Sequence, residues 1–228
     1  MPSLGPFDRT HRMVKKTQNG RIILASQSPR RKYLLTQAGL EFDVLPSHID
    51  ENALAMDRPA PYTCTLSRLK AQEISALHPD SWVIAADTIV VIEDEILGKP
   101  DDLEQARDML YRLSGQTHQV YTGYTICCDT EKKAITDSVC TDVIFKQLSD
   151  EEIEWYISTG EPFDKAGAYA IQGLGTFLVK RINGSYTNVV GLPVCEVIEH
   201  LIRERVVRIT PSGYQGQKMH NPVMNNDF

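Results

Sequence analysis

Apolar and polar positions follow two periods along this chain, and the switch between them marks the elements. Ile22-Ile23-Leu24-Ala25 is an apolar run of strand length, interrupted by Ser26-Gln27-Ser28-Pro29. Leu34, Leu35 and Ala38 then recur at helical spacing up to Gly39, so the order is strand, loop, helix and glycine stop. Leu66, Leu69, Ile74 and Leu77 stand among Lys and Arg over 61–77, the pattern of a helix packed on one face. Trp82 to Ile92 is a long run rich in Val and Ile, which predicts a buried strand. Helices are expected over 102–113 and 149–159, and strands over 117–128 and 135–147 joined by the polar turn Asp129 to Lys132. Leu192 to Val206 closes the series as a helix. Strands alternating with helices, beside a neighbouring β pair, predict an α/β or α+β sheet with helices packed on it.

The same pattern fades at both ends. Residues 1–20 have no apolar period, and 208–228 are polar with Pro and Gly, so both read as flexible tails around a single domain at 21–207. The chain of 228 residues is long enough for one large domain or two small lobes. Hydrophobic residues make up 42% and charged residues 24%, which excludes a disordered or fibrous protein. The formal net charge is −6, so the molecule as a whole has no electrostatic reason to seek nucleic acid or an anionic membrane, and any phosphate site must be local. Five scattered cysteines without CxxC spacing fit a reducing, cytoplasmic setting. No apolar run approaches the ~20 residues of a spanning helix, and the N-terminal segment lacks an apolar signal core.

Several segments could carry chemistry. In Ser26-Gln27-Ser28-Pro29-Arg30-Arg31 a buried strand hands over to a helix, with Ser28 placed to cap and Pro29 at the first helical position. Free N–H groups, hydroxyls and two guanidinium groups could together grip a di- or triphosphate there; an ordinary cap with two solvated arginines fits the motif equally well. Asp87 lies inside an apolar stretch, where a lone carboxylate needs a cation, a metal or a hydrogen-bond network. Glu51 could supply a second carboxylate for a divalent cation beside phosphates, although by sequence alone it reads first as a surface acid. Lys70 and Lys99, each taken singly, read as solvated lysines. Asp164 to Gly173 places small residues around Asp164-Lys165 and a Gln172 between Ile171 and Gly173, either a tight core turn or a place where a ligand meets backbone and amide. Gly184 to Pro193 reads as a loop into a helix start. The six histidines show no HxH or HExxH spacing, which argues against a His-built zinc site.

Taken in order, these segments resemble the Maf family of nucleoside triphosphate pyrophosphatases over about residues 21–205. The resemblance rests on Ser26-Gln27-Ser28-Pro29-Arg30-Arg31, Ile49-Asp50-Glu51, Ala86-Asp87-Thr88, Gly98-Lys99-Pro100, the stretch Ser114 to Gly123, Asp164-Lys165-Ala166-Gly167 and Gly184-Ser185. It implies an elongated mixed sheet with flanking helices in two lobes and a nucleotide cleft between them. It also implies hydrolysis between the α- and β-phosphates with a divalent cation, Mg²⁺ or Mn²⁺. In that reading Asp87 is the proton acceptor and Glu51 helps place metal or water. Arg31, Lys70 and Lys99 neutralise phosphate, and Ser26, Ser28 and Lys165 belong to the substrate site.

Arg30, Thr88 and Gln172 are similar to the branch acting on dTTP and UTP rather than the one acting on 7-methyl-GTP. An Asp87→Asn change is expected to lower turnover by about 10²-fold or more at little cost in stability. Gln27, where the family commonly has a small residue, and the two end segments depart from the pattern. The resemblance further implies a homodimer. Two other readings stand beside it: a non-catalytic nucleotide-binding regulator of division, and an enzyme for inosine or xanthosine triphosphates. Asp87 and Glu51 with Lys70 and Lys99 weigh against the first, and Gln172 with Thr88 against the second.

Overall fold

The computed structural model describes residues 20–50 and 58–209 together with the backbone of 14–16. In chain order the elements are β1 (Val14–Lys16), β2 (Ile22–Leu24), α1 (Pro29–Gln37), β3 (Asp43–Val44), α2 (Pro59–Leu77), β4 (Trp82–Ile92), β5 (Glu95–Leu97) and α3 (Leu103–Leu113). They continue with β6 (Thr117–Cys128), β7 (Lys133–Phe145), α4 (Asp150–Ser158), β8 (Val179–Asn183), α5 (Tyr186–Val190), α6 (Val194–Arg203) and β9 (Val207–Ile209). Among the described residues, short 3₁₀ turns occupy Glu161–Asp164, Ala166–Ala168 and Gly173–Phe177.

The helix boundaries follow local chemistry. Ser28 accepts from the Arg31 N–H and Pro29 opens α1; Asp102 caps α3. Ser149 and Glu152 form a reciprocal capping box on α4. The predicted strands and helices are therefore present, β4 with the bounds expected. The short strands β3, β5 and β8 carry too few residues to show a period, and each exists because an adjacent strand supplies its hydrogen bonds. β1, which the sequence assigns to the N-terminal tail, pairs antiparallel with β9. Residues 1–13, 17–19 and 210–228 lie outside the described residues.

The main sheet is mixed, in the order β3-β2-β4-β6-β7-β8, with β5 paired to β4. β2 runs parallel to β3 and β4, whereas the β4-β6-β7-β8 region is antiparallel. Successive residues of β4 face opposite sides. Ile84 and Ala86 enter a core with Leu24, Leu34, Leu35, Ile126 and the α6 residues Val197 and Leu201. Val83 and Ala85 enter one with Ile23, Ala25, Ala71 and Ile74 under α2. Farther along, Val90 and Ile92 join Leu97, Leu110, Leu113, Phe145, Ile153 and Tyr156. β4 and β6 thus run through two lobes, as the α/β expectation of a two-lobed mixed sheet requires.

One feature of the register places the site. β4 pairs with β2 up to Ile84 and with β5 from Val90, so Ala85 to Ile89 has no strand partner on that side among the described residues. A sheet that changes neighbours in this way leaves a crevice at the strand interior. Asp87 and Thr88 sit at its centre.

Candidate active site

The crevice opens into a cleft of about 760 Å³ bordered by both lobes. Its walls include Ser26, Ser28, Arg30, Arg31, Lys70, Asp87, Thr88, Lys99, Lys165 and Gln172, all the substrate and catalytic candidates but one. The exception, Glu51, lies outside the described residues. A chain of net charge −6 here gathers five cationic side chains around one cavity, a local concentration of positive charge that its overall balance does not show.

Asp87 and Thr88 are consecutive in β4, so their side chains leave the sheet on opposite faces. Asp87 turns to α2, where Lys70 Nζ donates to its Oδ1 at 2.7 Å, with both side chains 9% exposed. Lys70 is therefore not a solvated lysine. α2 holds it there by lying close to the sheet: a Cβ at Gly123, the register partner of Asp87, would come within 2.3–2.5 Å of the Thr63 and Cys64 backbone. Thr63 and Ser67 are fully buried, and Ser67 Oγ meets Thr125 Oγ1 at 2.9 Å. The predicted apolar face of α2 is corrected accordingly, because Leu66 and Ile74 are buried but Leu77 is 70% exposed.

Thr88 turns to the other face and meets Arg31. The guanidinium donates to Gly191 O (2.7 Å), Ser26 Oγ (3.0 Å) and Thr88 Oγ1 (3.1 Å). Thr88 Oγ1 also lies 2.9 Å from Thr122 Oγ1, whose hydroxyl donates to Asn188 O. Asn188, fully buried, donates to Val120 O and Thr141 Oγ1. Among the candidates placed around the base, Thr88 therefore has its hydroxyl engaged by protein groups and acts as a seat for Arg31. The stretch Gly184 to Pro193, read only as a loop into a helix, forms α5 and supplies two carbonyls to this brace. Nothing in the linear sequence marks Asn188, since its role depends on strands β6 and β7 meeting α5.

On the far wall Arg30 donates to Asp164 Oδ2 at 3.1 Å. Lys165 Nζ donates to Asp164 and to the Glu161 carbonyl. Lys99 is exposed at the cleft edge, beside Gly98, whose carbonyl accepts from Gly167 N–H at 2.9 Å. Gly167 has φ +70°, and a Cβ would strike Val90 at 2.9 Å, so at this residue smallness serves a tight core turn rather than a ligand. Ala166, Ala170 and Ile171 do line the cleft. Gln172 is half-buried there, its amide without a hydrogen-bond partner among the described residues.

Among the described residues no three His, Cys, Asp or Glu side chains converge as a metal cluster. Among the described residues the carboxylates on the cleft wall are Asp87, Asp101 and Asp164, and Asp164 is already engaged by Arg30 and Lys165. Such a sparse oxygen donor set fits a hard divalent ion that takes most of its ligands from substrate phosphates and water.

The family profile described as Maf-like protein matches residues 21–204, so this chain belongs to the Maf-like protein family. Among its relatives, a dTTP/UTP pyrophosphatase of Geobacter metallireducens is 52% identical over 184 residues, covering 81% of this chain and 96% of its own. That of Geobacter sulfurreducens is 51% identical over 186 residues, covering 82% and 97%. That of Syntrophus aciditrophicus is 49% identical over 181 residues, covering 79% and 88%.

Proposed function

We propose that this protein is a nucleoside triphosphate pyrophosphatase that cleaves dTTP and UTP between the α- and β-phosphates, releasing the nucleoside monophosphate and pyrophosphate. The observation that carries this reading is the buried Lys70–Asp87 pair on the wall of a cleft rich in cations, together with relatives at about half identity that bear that activity in their names. Nothing in the site favours a non-catalytic regulator.

The chemistry asks little more of the protein. A water attacks the α-phosphorus in line with the departing pyrophosphate, and Asp87 accepts its proton. Lys70 orients the carboxylate through its 2.7 Å bond. Arg31, fixed on three sides, presents its positive charge at the head of the cleft, and Lys99 meets the leaving phosphates from the opposite edge. Ser26 and Ser28 line the helix start, where N–H groups favour anions. Mg²⁺ or Mn²⁺, held by Asp87 and Glu51, would neutralise phosphate charge. Arg30, Lys165 and Gln172 line the remainder, with Gln172 offering both donor and acceptor to a pyrimidine edge. The reading extends to a homodimer working in the cytoplasm, with no nucleic-acid partner for a chain of net charge −6.

Chromatography of reactions containing dTTP or UTP with Mg²⁺ or Mn²⁺ tests it. Monophosphate and pyrophosphate are expected, with turnover abolished by chelator. Diphosphate plus orthophosphate would mean attack at the γ-phosphorus and overturn the assignment.

A further inference from the structure

Residues 161–175 contain a clamp that neither the linear motifs nor the reaction above requires. Glu161 opens the first 3₁₀ turn after α4, and its carboxylate reaches forward across the loop. Oε2 accepts from the Leu174 N–H at 3.0 Å, and Oε1 accepts from the Gly175 N–H at 3.0 Å and from the Tyr156 hydroxyl at 2.9 Å. Tyr156, fully buried in α4, accepts in turn from the Ala170 N–H at 3.1 Å. Two glycines make the approach possible. A Cβ at Gly173 would lie 2.7 Å from Glu161 Oε2, and one at Gly175 would lie 2.3 Å from Ala170 O. The clamp therefore grips the chain at 170 and at 174–175, on both sides of Gln172.

We propose that Glu161 is a positioning residue for nucleobase discrimination: its carboxylate, with Tyr156, fixes the loop that presents Gln172 to the cleft. The proposal rests on the pyrophosphatase reading, since it assigns a role within that same site. Burial pushes the Glu161 carboxyl pKa up, but the two backbone N–H donors, the Tyr156 hydroxyl and Lys165 outweigh it, leaving the pKa below the usual range. The group is thus an ionised acceptor facing three donors. A glutamine in its place would keep one acceptor and turn an NH₂ donor onto another donor. The Glu161 carbonyl separately holds Lys165 Nζ at 2.7 Å, and this backbone contact survives any side-chain change. The side chain and the carbonyl of one residue can therefore be separated by experiment.

The test compares wild type with Glu161→Gln and with Tyr156→Phe, a near-isosteric second variant for the case in which the first folds poorly. The readouts are kcat/KM for dTTP, UTP and a purine triphosphate, and inhibition by inorganic tripolyphosphate, which has no base. Both variants are expected to lower kcat/KM for dTTP and UTP by about tenfold and to narrow the preference over the purine nucleotide. Tripolyphosphate inhibition is expected to move by less than about twofold, because the phosphate-binding groups stay in place. A parallel loss on tripolyphosphate, or unchanged discrimination in both variants, overturns the positioning role while leaving the pyrophosphatase reading intact. A wild type inactive on both pyrimidine nucleotides overturns that reading first, and this proposal with it.

Discussion

Asp87 and Thr88 differ by one position and serve different halves of the site because a strand turns successive side chains to opposite faces. Asp87 joins Lys70 beneath α2, and Thr88 joins Arg31 against α5. The apolar surroundings of Asp87 announced a partner in the sequence, but not which cation would supply it. That partner changes the expected cost of substitution. Asp87→Asn is expected to lower turnover by about 10²-fold or more through loss of the proposed proton acceptor. It is also expected to destabilise the fold, against the expectation that a near-isosteric amide is harmless, because it weakens a buried ion pair with Lys70. Breaking a buried pair from one side costs up to about 3–5 kcal/mol, and replacing both partners costs less. Urea denaturation of Asp87→Asn beside Lys70→Met/Asp87→Asn checks this: the double variant is expected to be the more stable. Equal stability of the single variant and wild type would show that the pair carries no structural weight.

At the scale of elements, α2 is where sequence pattern and structure diverge. Its apolar positions predict a helix, and a helix forms. The buried face, however, is drawn by Thr63, Ser67 and Ala71 as much as by Leu66 and Ile74, since small residues allow close approach to β6. Only the packing partner, Gly123 opposite Thr63, makes that face intelligible. Gly123→Ala is expected to push the helix from the sheet, costing about 1–3 kcal/mol by overpacking. It is also expected to reduce turnover, because Lys70 travels with α2. A thermal melt and a rate measurement on this variant suffice; wild-type values for both would show that α2 moves freely at this point. The loops after α4 teach a similar lesson. Gly167 is small for Val90, whereas Gly173 and Gly175 are small for Glu161 and Tyr156.

For the molecule as a whole, the buried histidine of the second lobe sets a pH limit on stability. His118 lies edge-on to Phe145 and Tyr169, with Nε2 2.7 Å from the Tyr169 hydroxyl, and burial lowers its pKa from 6.5 to about 4. Between those values the unfolded chain binds the proton and the folded chain does not, so stability rises with pH. The contribution is complete above about pH 6.5 and is lost as pH falls toward 4. Between pH 7 and pH 5 it amounts to about 2 kcal/mol, at about 1.4 kcal/mol per unit of pKa difference. Denaturant unfolding at the two pH values should show this slope in wild type and a shallower one in His118→Gln. Equal slopes would place the sensitivity in other groups.

The sequence by itself determined the elements with many residues in phase: β4, β6, β7, α1, α3 and α6, where periodicity, caps and glycine stops act over a few neighbouring positions. It also pointed to the family and to most of the residues that line the cleft, because the Ser26–Arg31, Ala86–Thr88 and Asp164–Gly167 motifs are local. Only the tertiary structure decided which cation meets which anion, and so converted Lys70 from a surface lysine into the partner of Asp87. It alone seated Arg31 on Thr88, Gly191 and, through Thr122, on α5. It also revealed Glu161 as the hub of the Gln172 loop. The physical reason is the range of the interactions. Capping and hydrophobic period are set within a turn or two of chain, whereas a hydrogen bond from residue 31 to residue 191, or a helix resting on one glycine, exists only after long loops have closed. The crevice itself belongs to this second group, for it arises where β2 ends beside β4 and β5 has not yet begun.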